Sequence, residues 1–302
     1  MGKGQALDNL RGSLLMVLAM FGFALEDMFI KQMSGALPTG QILATLGLGG
    51  FIVFALVCRA QGAPLLQRDM LHPMVLLRNV GEIFGTIGYV TAVVLTPISS
   101  ASAIFQATPL FVTLGAALFL REAVGWRRWV AIAVGFCGVL LIIRPGMEAF
   151  RPASLFAVQG VIFLGIRDLA TRRIPPSISS MRLSTYAFAV TVPTGLILMA
   201  AMGDPFVMPE AVNALRVAGS IVAGVLGYYA LVTATRLGDM SHVAPFRYSR
   251  LVFALVIGVT VFGERPDAAT LIGAAVIVGS GIYAAIREGQ RRRASLAAAG
   301  AI

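Results

Sequence analysis

The run LRNVGEIFGTIGYV, residues 77–90, returns as LRVAGSIVAGVLGYY, residues 215–229. Both copies are apolar stretches in which an Arg follows the first Leu, glycines recur at helical spacing and a Tyr closes the pattern. The similarity extends outward at offsets of 138 to 142 residues. Ser13 and Leu14, followed by Glu26-Asp27 and Lys31, match Ser154 and Leu155, followed by Arg167-Asp168 and Arg172. The segment from Thr96 to Ser102 matches Thr235 to Ser241, and LFLRE ending at Glu122 matches TVFGE ending at Glu264. A repeat covering most of both halves sets the architecture before any single motif does.

The unit that repeats is a bundle of membrane spans. Of 302 residues, 58% are hydrophobic and 13% charged, with a mean hydropathy of +0.85. Soluble domains carry about 25% charged residues, so a water-soluble globular protein is excluded, and the alternating ten-residue strands of an outer-membrane barrel are absent. Spans are expected near 11–33, 38–59, 74–95, 98–120, 127–143, 153–173, 181–202, 212–236, 241–262 and 268–287. Most are long enough for a hydrocarbon core about 30 Å thick at about 1.5 Å rise per residue. Breaks fall at Pro38, Pro64, Pro97, Arg144-Pro145-Gly146, Pro175-Pro176, Asp204-Pro205, Gly238-Asp239 and Arg265-Pro266-Asp267, where Pro removes a backbone donor and Gly tolerates a left-handed cap.

Charge orients the bundle. The net charge of +10 would suggest nucleic acid in a soluble chain, whereas here it reflects basic loops. On this layout 16 of the 24 Lys and Arg residues fall on the side of the termini and 5 on the other, with Arg167, Arg247 and Arg250 inside spans. Both termini are therefore expected in the cytoplasm of a bacterial inner-membrane, multi-pass protein. The start lacks a small-residue cleavage site and is read as a retained first span. The tail from residue 291 to 302 reads as a basic, mobile, cytoplasmic end. Trp126 and Trp129 beside Arg127 and Arg128 read as interface anchors, and Cys58 and Cys137 as small core residues.

Each half, 1–148 and 149–290, holds five spans. Five is odd, so the second copy must lie upside down relative to the first. Inverted repeats of this kind are a transporter architecture with substrate bound near the midplane. Ten spans in two five-helix halves, each with a fourth helix closed by Glu122 or Glu264 and a Gly/Ala-rich fifth (AIAVGFCGVLLI, LIGAAVIVGSGIYAAI), resemble the EamA-type drug/metabolite transporters. In length and organisation the chain is most similar to the YddG-type exporters of aromatic and other amino acids. The resemblance implies proton-coupled or facilitated movement of a small polar metabolite through a central cavity lined by spans 1, 3, 4, 6, 8 and 9, with spans 5 and 10 peripheral.

A charge at the bilayer centre costs at least about 2.5 kcal/mol, so ionisable residues within spans are candidates for function. Glu26, Asp27, Glu82 and Asp168 are candidates for proton or charge coupling. Their structural alternatives are local: Asp27 with Lys31, Asp168 with Arg172 and Arg78 with Glu82 are all spaced i, i+4 and share a helix face. In SHVAPFRYSRLVF, Pro245 removes a backbone bond and Arg247, Tyr248 and Arg250 follow within a turn. A guanidinium can fork a carboxylate and an aromatic ring can stack on either, so these three are candidates for substrate contact. The alternative for the arginines is an ion pair to Glu82, Asp168 or Glu26. The related stretch SAIFQATPLF has Pro109 with Gln106 as an uncharged version of the same break. Tyr89, Tyr228 and Tyr229 occupy matching positions beside small residues and are candidates for lining the cavity, with packing as the alternative. His242 is expected to be exposed near a loop.

Other chemistries lack their signatures. A P-loop needs Lys followed by Ser or Thr, but Lys3 precedes Gly4 and Lys31 precedes Gln32. HExxH and GxSxG are absent, no metal or cofactor is implied, and no enzyme activity is expected. An intramembrane dyad of Asp27 and Asp168 is the enzyme alternative, and a passive channel the non-enzymatic one. The expectation is an amino-acid exporter working by alternating access, with uptake of an adenosylated or nucleoside-like metabolite as the second reading. Its partners are a small-molecule amino acid or related metabolite and the lipid bilayer, without nucleic acid, and the chain is consistent with a monomer.

Overall fold

In a computed structural model the described residues are 3–62, 64–65, 68–122, 125–175, 177–237 and 240–299. Among them the secondary structure is entirely helical: α1 (Lys3–Met33), α2 (Thr39–Ala60), α3 (Pro73–Leu95), α4 (Ile98–Phe105), α5 (Thr108–Phe119), α6 (Trp126–Ile143), α7 (Ser154–Thr171), α8 (Ser180–Met202), α9 (Ala211–Leu237), α10 (Met240–Val243), α11 (Ser249–Phe262) and α12 (Ala268–Ala299). Short 3-10 turns occupy Arg68–Leu71 and Ala244–Tyr248. Among the described residues nine segments are long and apolar enough to cross a membrane unaided. The tenth crossing, α3, is diluted by Arg78, Asn79 and Glu82.

Two expected spans are not single helices. The fourth is split into α4 and α5 around Gln106-Ala107, and the ninth becomes α10, the 3-10 turn Ala244–Tyr248 and α11. Pro109 and Pro245 are the cause, because neither ring nitrogen can donate to the preceding turn. Pro193, by contrast, lies inside the continuous α8. The last helix outruns its expected end and carries the backbone of the basic tail as helix to Ala299. The expected break at Gly238-Asp239 and Pro176 of the Pro175-Pro176 break lie outside the described residues.

Packing follows a two-fold pattern between the halves. Helix α1 lies mainly against α9 and α3 against α7, which are the first and third spans of the two repeats exchanged; α2 pairs with α8 and α6 with α12. Five crossings separate α1 from α7, which fixes their opposite sense. Small residues make these contacts, since bilayer helices gain little from hydrophobicity and must approach closely to gain van der Waals energy. A Cβ on Gly22 would fall 2.9 Å from the Ala223 carbonyl oxygen, one on Gly88 2.8 Å from the Gly160 nitrogen, and one on Gly138 2.8 Å from the Gly273 carbonyl oxygen.

The outer surface is apolar, with Leu14, Phe119 and Leu226 all more than half exposed toward lipid. Trp126 and Trp129 are exposed as well. Cys58 is buried with its Sγ 3.4 Å from Thr185 Oγ1, whereas Cys137 is exposed and is not a core residue. In α6 the core stripe runs through Gly135, Gly138 and Val139, which turns Cys137 outward. His242 is half-buried where exposure was expected.

Candidate functional site

Where α1, α3, α4 and α11 converge, a charged pair is buried. Asp27, 1% exposed, accepts from Arg250 Nη2 at 2.9 Å (Oδ1) and 2.8 Å (Oδ2), and from Arg250 Nε at 3.2 Å. The Tyr89 hydroxyl donates to Asp27 Oδ2 at 2.8 Å and accepts from Arg250 Nη2 at 3.0 Å. Three rings surround the guanidinium, with centroids at 5.4 Å for Phe23, 5.0 Å for Tyr89 and 5.2 Å for Phe105. Desolvated charges need such complete pairing, because a lone buried ion costs several kcal/mol. Arg250 Nη1 is left without a partner among the described residues.

Local structure delivers each group. Phe23 and Asp27 are i, i+4 on α1 and share its inner face. Tyr89 follows Gly88, whose contact with Gly160 draws α3 onto α7; a Cβ on Gly160 would lie 3.1 Å from the Tyr89 nitrogen. Phe105 ends α4 at the break, and Arg250 stands in the first turn of α11 just past the other break. The two breaks face each other: Gln106 Nε2 donates to the Arg247 carbonyl oxygen at 3.2 Å. Freed backbone groups at facing half-helices are the usual lining of a transporter site.

Glu26 sits beside this pair on α1. It is half-buried, and its carboxylate lies over Gly224 of α9, where a Cβ would be 2.7 Å from Oε1. Among the described residues its carboxylate has no hydrogen bond or ion pair.

A second polar cluster joins α3 and α7. Arg167 Nη1 is 3.4 Å from Glu82 Oε1, Arg167 Nη2 is 2.9 Å from Asp168 Oδ1, Arg78 Nη2 is 3.8 Å from Glu82 Oε2, and Thr86 Oγ1 donates to Glu82 at 3.3 Å. Glu82 and Asp168 are thus both committed to Arg167. Asp27 and Asp168 belong to different clusters with their own arginines, which removes the shared-proton dyad.

The i, i+4 pairings Asp27–Lys31 and Asp168–Arg172 do not form. Asp27 turns to Arg250 and not to Lys31, a partner outside the three expected for that arginine. Lys31 instead lies 3.9 Å from Glu264 and donates to the carbonyl oxygens of Val93, at 3.2 Å, and Thr96. Asp168 pairs with its neighbour Arg167, and Arg172 reaches Glu122 at 3.6 Å. Of the three i, i+4 pairs, Arg78–Glu82 forms. For Asp27 the tertiary partner is the buried one: the Arg250 side chain is 11% exposed and pairs with it through two nitrogens.

The tyrosines separate. Tyr89 is in the central cluster, while Tyr228 packs edge-on against Phe54 at 5.0 Å and bonds Ser184 on the far side of α9. Tyr229, one residue and about 100° further round the helix, is 60% exposed toward lipid. Tyr248 is buried against Gly281, and among the described residues its hydroxyl has no hydrogen-bond partner. Sequence reading missed Phe23 and Phe105, although the i, i+4 spacing to Asp27 and the position next to Gln106 marked them.

One titrating group outside the spans is displaced from its ordinary value. Hydrogen bonds from Arg144 and from the Thr270 backbone hold the Asp267 carboxyl well below the usual carboxylate range. This pair staples the ends of α6 and α12. No group of three His, Cys, Asp or Glu side chains comes together as a metal site among the described residues.

Comparison with known proteins agrees with this arrangement. The EamA-like transporter family profile matches twice, at residues 10–144 and 151–285. The S-adenosylmethionine uptake transporter of Rickettsia bellii (strain RML369-C) is 28% identical over 219 residues, 72% of each chain. The pseudopaline exporter CntI of Pseudomonas aeruginosa PAO1 is 29% identical over 277 residues, 90% of this chain and 95% of the exporter. A solved crystal structure 21% identical in sequence superposes with a TM-score of 0.62 across 96% of this chain and 99% of that one, a likeness of fold. Two copies of the family's repeat, built as oppositely oriented five-span halves that meet at facing helix breaks, make this chain a multi-pass membrane transporter belonging to the EamA-like transporter family.

Proposed function

We propose that the chain is a secondary transporter that exports amino acids, aromatic ones included, across the bacterial inner membrane by alternating access, with both termini in the cytoplasm. The observation that carries this reading is the combination of an unpaired carboxylate, Glu26, with a partly free guanidinium, Arg250, inside a set of aromatic rings. An amino-acid zwitterion offers the complementary pattern: its ammonium meets Glu26, its carboxylate meets Arg250 Nη1, and its side chain stacks among Phe23, Tyr89 and Phe105. Arg247 and Gln106 at the facing breaks complete the polar lining. Asp27 acts as the fixed counter-ion that keeps Arg250 in place, and Glu82 and Asp168 serve the same purpose for Arg167.

Coupling then rests on Glu26. A carboxylate that holds a proton in one state and a substrate ammonium in the other exchanges the two across the membrane. The bare resemblance to the YddG-type exporters supports the substrate class, and the Pseudomonas exporter shows that outward transport occurs among relatives. A second reading, uptake of an adenosylated metabolite, is favoured by the Rickettsia relative. Purified protein in liposomes, given radiolabelled phenylalanine, threonine and adenosylmethionine with and without a pH gradient, separates the two. Saturable amino-acid flux supports the first reading; flux of adenosylmethionine alone supports the second, and non-saturating flux a channel.

A further inference from the structure

Helices α6 and α12, the fifth spans of the two repeats, pack against each other. At the end of the bundle opposite the termini they are joined by the Arg144–Asp267 ion pair, and further along Gly138 meets Gly273. Towards the other end the facing residues turn from small to bulky, and a groove of about 310 Å³ opens between the two helices. Its floor is Ala131 and Ser280, both buried. The Ser280 hydroxyl donates back to the Ile277 carbonyl oxygen of its own helix at 2.9 Å, so the floor offers no free donor. Val130 and Val134, one turn apart on α6, form an exposed apolar wall.

The mouth of the groove is different. The apolar span of α6 begins at Trp126 and that of α12 ends at Arg287, which sets the mouth at the membrane boundary on the side of the termini. Trp126 and Tyr283, 70% and 42% exposed, line it from the two helices; amphipathic rings of this kind favour the headgroup layer. Each ring holds a guanidinium. Arg127 Cζ lies 5.4 Å from the Trp126 ring centroid, and Arg287 Cζ lies 5.8 Å from the Tyr283 centroid while its Nε donates to the Tyr283 hydroxyl at 3.4 Å. A ring against the flat face of a guanidinium restrains it and leaves N–H groups at its edge for an acceptor. Among the described residues neither arginine meets a carboxylate.

We infer that this groove binds one anionic diacyl phospholipid, with an acyl chain along Val130, Val134 and the buried floor and the headgroup phosphate between Arg127 and Arg287. An apolar slot that ends at two arginines in the boundary layer matches that molecule in both polarity and charge. A zwitterionic headgroup is a poorer match, because it brings its own cation beside the two guanidinium groups. A second copy of the chain is a poorer match too. A two-fold contact sets the same patch against itself and therefore arginine against arginine, and close helix association uses small residues where this mouth has Trp126 and Tyr283. The bound lipid bridges α6 and α12 at the end that Arg144 and Asp267 do not reach. None of this depends on the transported substrate or on its direction.

The test is native mass spectrometry of the full-length protein in detergent, titrated with dioleoylphosphatidylglycerol and, separately, with dioleoylphosphatidylcholine. One saturable phosphatidylglycerol adduct is expected, bound at least fivefold more tightly than phosphatidylcholine. Arg127→Gln and Arg287→Gln are each expected to weaken phosphatidylglycerol about fivefold and to leave phosphatidylcholine unchanged. Val134→Trp, which fills the groove without altering charge, is expected to remove the adduct. Arg59→Gln, an exposed arginine at the end of α2 on the same side of the membrane, is the control and is expected to change nothing. Phosphatidylglycerol is also expected to raise the thermal midpoint of the wild type and not of Val134→Trp, because a ligand that binds the folded state stabilises it. Equal affinity for the two lipids, equal weakening by Arg59→Gln, or a protein dimer that Val134→Trp dissociates would overturn the proposal.

Discussion

Arg250 grips Asp27 with two nitrogens across 223 residues of sequence, Nη2 at 2.8 Å and Nε at 3.2 Å from Oδ2. It joins the first span of one repeat to the broken span of the other within the bundle. Breaking a buried pair from one side leaves an uncompensated charge and costs about 3–5 kcal/mol. Asp27→Asn is therefore expected to lower the thermal midpoint in detergent sharply and to abolish flux. Asp27→Asn with Arg250→Met is expected to regain most of the midpoint while flux stays lost. Recovery of flux in the double variant would show that the pair is only structural.

Two of the buried tyrosines, Tyr89 and Tyr248, make opposite predictions. Tyr89 bridges Asp27 and Arg250, whereas the Tyr248 hydroxyl has no partner among the described residues. Tyr89→Phe is expected to cost about 1.5–3 kcal/mol, the worth of hydrogen bonds to charged groups, and to reduce flux about tenfold. Tyr248→Phe removes only an unsatisfied group and is expected to leave flux unchanged and stability equal or higher. Thermal melts and initial rates on the two variants check both.

Close packing of α3 on α7 depends on Gly88 and Gly160. Gly88→Leu forces a side chain into a space where even a Cβ would lie 2.8 Å from the Gly160 nitrogen and the Phe156 carbonyl oxygen. Overpacking of this kind costs about 1–3 kcal/mol, and because Tyr89 is the next residue, flux is expected to fall along with the thermal midpoint. Gly35→Leu, at a position with open space around the Cβ, is the control.

Asp267 predicts a pH dependence. Its carboxyl is held below the ordinary value of 3.8 by Arg144 and Thr270. A depressed folded value adds stability that is fully present above the unfolded value and is lost as pH falls through the folded one. Asp267→Asn is therefore expected to be less stable than the wild type near neutral pH, with the difference shrinking as pH falls below 3.8 and vanishing well below it. Thermal midpoints across that range give the answer.

Much of this was legible in the sequence, and the reasons are specific. The 77–90 and 215–229 repeat with its odd span count gives the inverted halves, and Pro109 and Pro245 give the breaks, because both depend on local chemistry. Asp27, Tyr89 and Arg250 are singled out by charge or ring in apolar surroundings. Their partnership is not, since an i, i+4 neighbour such as Lys31 satisfies the same local rule. Tyr228 and Tyr229 show a second limit: helix phase turns adjacent residues about 100° apart, so one faces Phe54 and the other lipid. Lys31 and Glu264 belong to opposite repeats, and no local spacing connects them.

Glu26 is the centre of the functional account, and one measurement addresses it directly: radiolabelled phenylalanine flux in liposomes, with and without a pH gradient, for the wild type and Glu26→Gln. The wild type is expected to show saturable flux that responds to the gradient. In Glu26→Gln the apparent KM is expected to rise about tenfold, the loss of one charge-assisted contact, and the response to the gradient to disappear. Gradient-driven phenylalanine flux in Glu26→Gln equal to that of the wild type would contradict the assignment of substrate and proton to this carboxylate.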